Sequence, residues 1–231
     1  MTNQVLIGTD RWRDEHPGSS AAVVMYRGLS VGDETETLAE MKRELEAGLQ
    51  ARWVSATKQE LLADPTLAAY QRHDQRFGQN YHVAMQIQSI AQKGKSIPSR
   101  NPLIETMFMT ELKTGVLASA QDADQIAFPI SVDSADGSEQ YTRYDGVEEC
   151  CKAGDQLMRD ADGNLLTSIA QGPTAFGLVT PETTAVGYCF YFPAGVPKSA
   201  IDESLAYLDK CVRAACPSAE RTGDAIITAS R

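Results

Sequence analysis

Glu111 is the residue whose type and place are hardest to reconcile with a surface role. The stretch from Asn101 to Gly115 has the marks of a helix, with Asn as N-cap, Pro at the first position and Gly at the stop. At about 100° per residue, Ile104, Met107, Phe108 and Leu112 fall on one arc and Glu111 falls in its middle, while Thr106, Thr110 and Lys113 gather opposite, on the expected solvent side. A carboxylate on an apolar face is costly unless it is paired or lines a wet cavity, and desolvation raises its pKa. Two roles follow. Glu111 is a pocket group, acting as general base toward a water or accepting from a ligand ammonium, or it is a structural ion pair with Arg143 or Arg159. His82, at the start of another predicted helix, is a second candidate base, with a capped or exposed histidine as the alternative. No GxSxG, P-loop or GxGxxG motif is present, so a catalytic reading needs a positioned water rather than a protein nucleophile.

Charge separates two regions. From Arg72 to Arg100 the basic residues Arg72, Arg76, Lys93, Lys95 and Arg100 face the single acid Asp74. From Glu105 to Asp162 thirteen acids face only Lys113, Arg143, Lys152 and Arg159. The whole chain carries −10, which argues against DNA and against non-specific coating of nucleic acid. Lys93, Lys95 and Arg100 are then either a local docking patch for the phosphates of a tRNA end or a solvated basic loop.

Five cysteines without a CxxC spacing, and no signal-like apolar run, predict reduced thiols and a cytoplasmic protein. No apolar stretch is long enough for a membrane span, and the three scattered histidines have no metal-ligand spacing. No metal or other cofactor is expected. The adjacent Cys150 and Cys151 read as a coincidence beside a turn rather than a redox centre.

The elements that must position these residues change character midway. Residues 1–17 read as a loose polar arm or edge segment, and 20–27 as a strand ending at Gly28. Asp33 with Glu36 resembles a capping box, ahead of a helix marked by Leu38, Met41, Leu45 and Leu49. Asp64-Pro65 opens a second helix stopped by Gly78, residues 82–92 form a third, and Asn101 begins the fourth. After Gly115 the chain turns to short apolar runs between turn clusters such as SADGS and DADGN, interrupted by one helix at Lys198–Ala215. Helices first and strands afterwards give the class α+β.

Three stretches carry a family resemblance. YQRHDQRFGQNYHVAMQIQSIAQKGKSIPSRNPLIETMFMTELKTG resembles the two helices, basic loop and NPL helix of stand-alone B3/B4 proteins. ASAQDADQI resembles the acidic segment that follows there, with Asp122 and Asp124 in the matching places. AGDQLMRDADGNLLTSIAQ resembles that family's Gly-rich strand-turn-strand, with Gly154, Asp160, Asp162 and Gly163 in register. The family is that of the B3/B4 (tRNA-editing-type) domain of the phenylalanyl-tRNA synthetase β subunit, and the resemblance covers residues 20–195.

It implies a three-layer α+β fold with a mixed β core and flanking helices, making residues 1–231 one such unit. It also implies an aminoacyl or amino-acid-like ligand, with trans hydrolysis of an aminoacyl-tRNA ester as the associated activity. Ligand contacts are then expected at Asn101, Glu105, Phe108, Gly154 and Asp155. Phe108 and Glu111 stand where relatives tend to have Asn and Ser, which predicts a different ligand side chain. The competing readings are a non-catalytic metabolite- or partner-binding protein and a biosynthetic enzyme using the same pocket.

Overall fold

The computed structural model describes residues 5–230. Its centre follows from two uninterrupted apolar runs, SAAVVMYR and AVGYCFYF, which have no polar face to turn toward water. They become β2 (Ser20–Arg27) and β10 (Ala185–Phe192), paired antiparallel from Ser20↔Phe192 to Arg27↔Ala185. Strand β3 (Leu117–Asp122) lies on the far side of β10 and β11 (Glu220–Thr228) on the far side of β2. The resulting four-stranded sheet has the order β11-β2-β10-β3.

Alternation along these strands gives each face a separate layer. Tyr26 and Tyr188 point to the helices, where the Tyr26 hydroxyl donates to Asp209 at 3.0 Å and Tyr188 donates to the Leu103 carbonyl at 3.0 Å. Tyr191 points the other way, and its hydroxyl donates to the Thr167 carbonyl of a second sheet at 2.8 Å. That five-stranded sheet runs β1 (Leu6–Gly8), β4 (Ile130–Ser134), β7 (Gln156–Arg159), β8 (Leu165–Ser168) and β9 (Gly172–Pro173). Its β1–β4 pair is parallel and the rest are antiparallel, so the β core is mixed. Helices, inner sheet and outer sheet make the three layers, and the class is α+β as the sequence implies. A hairpin of β5 (Gln140–Thr142) and β6 (Glu148–Cys150) lies over the outer sheet and encloses a small core of Ala135, Tyr141, Cys151, Leu157 and Leu165.

The helical layer comprises α2 (Glu36–Trp53), α4 (Pro65–Gln75), α5 (His82–Lys93), α6 (Pro102–Thr114) and α7 (Lys198–Ala215). Asp64, with Pro65 behind it, and Asn101, with Pro102 behind it, cap α4 and α6 as their sequences predict. Gly115 ends α6 at φ +71°, and a Cβ there would come within 2.9 Å of Leu67.

Three expectations change. Residues 5–17 are not a loose arm: β1 and the short helix α1 (Asp10–Glu15) are built there, because Trp12 is fully buried and donates to Gln156 at 2.8 Å. Residues 1–4 of that arm lie outside the described residues. The cap of α2 is Thr35 rather than Asp33, since its hydroxyl accepts from the Leu38 N–H and also donates to the Ala214 carbonyl on α7. A one-turn helix α3 (Lys58–Leu61), unmarked by periodicity, is closed by a Thr57–Glu60 capping box.

Candidate functional site

Glu111 sits in the last turn of α6, 2% exposed, where the chain turns into β3. Its Oε1 accepts from the Ala118 N–H at 3.0 Å, while Oε2 has no partner among the described residues. Burial pushes its pKa up to about 8 against the opposing pull of the Ala118 N–H, so at neutral pH the group holds its proton. The anticipated ion pair is not made. Arg143 is taken by Asp145 and Glu149, and Arg159 by Glu139.

The same turn is clamped by two stacked tyrosines, Tyr70 and Tyr81, with centroids 4.5 Å apart. Tyr70 accepts from the Leu117 N–H and donates to the Tyr191 carbonyl, and Tyr81 donates to the Gly115 carbonyl at 3.0 Å. His82 stands with its ring edge on Tyr81, and burial lowers its pKa. No hydrogen bond joins His82 to Glu111 among the described residues.

The expected solvent side of α6 is a second correction. Thr106 and Thr110 are fully buried, and Thr106 shares a hydrogen bond with Tyr188 at 2.9 Å. The helix is packed by α7, α5, α2 and β3, so a single apolar arc does not describe it. Ile104 and Phe108 are the half-buried positions, and with Asn101 they form a stripe at helical spacing.

That stripe begins at the basic loop, which is strapped down by acids and one lysine. The Lys42 ammonium donates to Ser99 at 2.8 Å and to Glu105 at 2.9 Å, and also pairs with Glu34. Burial pulls the Lys42 pKa down, but the bonds from Glu34 and Glu105 more than offset it and the net shift is upward. Glu46 accepts from the Ile97 N–H at 2.6 Å and Glu105 from the Arg100 N–H. Glu105 is therefore engaged on both oxygens and holds the loop. Asn101 accepts from the Leu103 N–H at 2.9 Å, and its buried amide nitrogen has no partner among the described residues. Lys93, Lys95 and Arg100 are exposed, and none has an ion-pair partner among the described residues.

Gly154 and Asp155 belong to a different part of the molecule, a buried network that the sequence does not reveal. Asp155 bonds His73 Nε2 at 2.9 Å and accepts from the Gln156 and Ala170 N–H groups at 2.9 and 3.0 Å. Gly154 takes φ +82°, and its carbonyl accepts from Arg76 at 3.2 Å. The His73 and His16 rings are 6.4 Å apart, and His16 Nε2 is 3.0 Å from Ser134 Oγ, which donates to Glu15. Burial, then the charges of Arg76 and His73, push His16 down to about 4; burial pushes the adjacent Asp74 up to about 6.

Ser134 is 0% exposed and its proton points to Glu15, so this serine–histidine pair ties α1 to β4 rather than presenting a nucleophile. Positions 16, 73, 134 and 155 are too far apart in sequence for any spacing rule to join them. The five thiols are free, and only Cys150 is exposed. No helix of the described residues is long and apolar enough to cross a membrane.

Glu111 lines neither of two concavities. A water-sized pocket of about 10 Å³ lies between α3, α4 and α5. An open groove of about 510 Å³ crosses the outer sheet beside β5, with Tyr141, Arg159, Asn164 and Phe176 among its walls.

The fold is that of an α+β domain of the kind carried by phenylalanyl-tRNA synthetase β subunits. One solved structure it resembles is the crystal structure of an N-terminal fragment of that subunit from Pyrococcus horikoshii, at 14% identity and a TM-score of 0.50. The likeness covers 96% of this chain and 50% of the fragment, so the chain spans about half the fragment's length. At that identity the likeness is one of fold. No protein-family model matches the sequence, and no curated protein matches it.

Proposed function

We propose that this protein is a B3/B4-like unit that recognises an aminoacyl or amino-acid-like group, with a tRNA end held by the loop of Lys93, Lys95 and Arg100. The observation that carries the reading is that loop: three exposed cations without acidic partners, on a backbone fixed by Lys42, Glu46 and Glu105, in a chain of net charge −10. An anchored backbone lowers the cost of ordering the loop on phosphates, leaving only the exposed side chains to settle. The half-buried stripe of Asn101, Ile104 and Phe108 starts beside Arg100, next to where the attached group would lie.

Recognition is favoured over hydrolysis. Glu111 is 2% exposed and lines neither concavity, so it has no open space in which to meet a substrate and a water, and His82 has no hydrogen-bonded carboxylate to orient it among the described residues. The test is fluorescence anisotropy with charged and uncharged tRNA at low salt. The parent should bind, and Lys93→Glu, Lys95→Glu and Arg100→Glu together should abolish binding while leaving the thermal melt intact. Equal binding by the triple variant, or none by the parent, would sink the reading.

A further inference from the structure

We infer that the outer edge of β11 is a docking edge for a second copy of this chain, joining two inner sheets side by side. Backbone direction gives the first reason. The Ala229 N–H donates to the carbonyl of Ser19, the residue just before β2, at 2.8 Å. Antiparallel bonding alternates along a strand, so Ile227 and Ala225 also bond toward β2. Asp224, Ile226 and Thr228 then turn their N–H and carbonyl groups outward. None of those three N–H groups has a partner among the described residues, and of the carbonyls that of Thr228 accepts from the Ser230 N–H at 2.9 Å, keeping a second lone pair. The opposite edge of the same sheet is closed. On β3 the Ala118 N–H donates to Glu111, and the Asp122 N–H to the Gly177 carbonyl at 2.8 Å.

Side chains give the second, independent reason. Ile226 stands opposite Ala22, on the face that Tyr26 turns to the helices, yet it is 47% exposed. Exposed edges are commonly guarded by lysine, proline, a bulge or an inward-pointing charge. The bulge of β11 lies between Arg221 and Gly223, and Arg221 is paired with Asp224 at 3.3 Å. From Ala225 to Ser230 there is no charged residue, proline or bulge, so the centre of the edge carries none of the chain's −10. Register names the occupant. A two-fold axis through Ile226, perpendicular to the sheet, sets Ile226 against its own copy and Asp224 against Thr228 on either side, so all the outward groups meet in bonded pairs. Centring on Asp224 instead opposes two carboxylates. The edge is therefore self-complementary, with apolar against apolar and carboxylate against hydroxyl.

Sedimentation velocity at about 1–100 μM protein tests the edge, in about 0.15 M salt, where repulsion between two acidic chains is screened beyond about 8 Å. The parent should move from the monomer toward twice the monomer mass across that range. Ile226→Lys should stay monomeric with the parent's thermal midpoint, because the side chain it replaces is half exposed. Ile226→Pro should also stay monomeric, since it removes an N–H that the fold itself leaves unused. Cross-linking in a Cys150→Ser background, free of the one exposed thiol among the described residues, reads the register. Under mild oxidation Ile226→Cys should form a disulfide dimer roughly tenfold or more faster than Asp224→Cys, because only position 226 meets itself at bridging distance. A parent monomeric at every concentration, a dimer that survives both substitutions at Ile226, or equal cross-linking at 224 and 226 would overturn the proposal. Slow amide exchange at Ile226 in a monomeric parent would overturn it too, by showing that another segment of the chain covers the edge.

Discussion

Glu111 shows how far residue type and spacing reach. The helical arc put it among apolar side chains, and the structure buries it; but Thr106 and Thr110, placed on the solvent side by the same arc, are buried as well. The arc describes a helix with one neighbour, whereas α6 has neighbours all round. Its consequence for stability has a definite sign. The folded carboxyl titrates at about 8 and the unfolded one near 4.5, so between those values the native state holds a proton the unfolded chain has lost. Its contribution is therefore present below about 4.5 and disappears as pH rises through 8, at up to about 1.4 kcal/mol per pH step. Glu111→Gln keeps the acceptor for Ala118 and has nothing to ionise. Urea melts should show the variant gaining on the parent as pH rises across that window, with the curves converging at its acid end. A parent and variant with parallel pH profiles would mean that Glu111 ionises freely. His16, pushed down to about 4, acts oppositely, its contribution fading as pH falls from 6.5 through 4, and it is common to both proteins.

Among the elements, those with clear caps or a long apolar period were legible: α4 and α6 begin where Asp64 and Asn101 suggest, and α7 covers Lys198–Ala215 as its apolar spacing indicates. The short ones were not. Helix α1 exists because Trp12 finds a core and Gln156, and α2 starts at Thr35 because that hydroxyl also reaches α7; both causes are tertiary. The basic loop is a similar case, since its charges could be counted but its anchors on α2 could not be foreseen. Lys42→Met should expose that dependence. It strands the fully buried Glu105 carboxylate, at an expected cost of about 3–5 kcal/mol in denaturant melts. Amide exchange at Ile97 and Arg100 should quicken at the same time. Adding Glu105→Leu should recover much of the loss, because a pair of apolar groups needs no counter-charge. A single variant as stable as the parent would show that the strap contributes nothing.

At the scale of the whole molecule, net charge and layer order act together. A chain of −10 strains against its own charge, and raising salt from about 0.01 to about 0.1 M shortens the screening length from about 30 to about 10 Å. The thermal midpoint should rise over that range, while any tRNA affinity of the basic loop should fall; a midpoint that falls with salt would mean attraction outweighs repulsion. Strand β2 has a further consequence. Its two neighbours, β10 and β11, are written more than 150 residues after it. On the ribosome it waits with both edges bare, a run of Ala, Val, Met and Tyr that any other growing chain could zip onto. Synthesis rate and chaperone supply, rather than the finished fold's stability, would then set how much of this protein a cell recovers in soluble form.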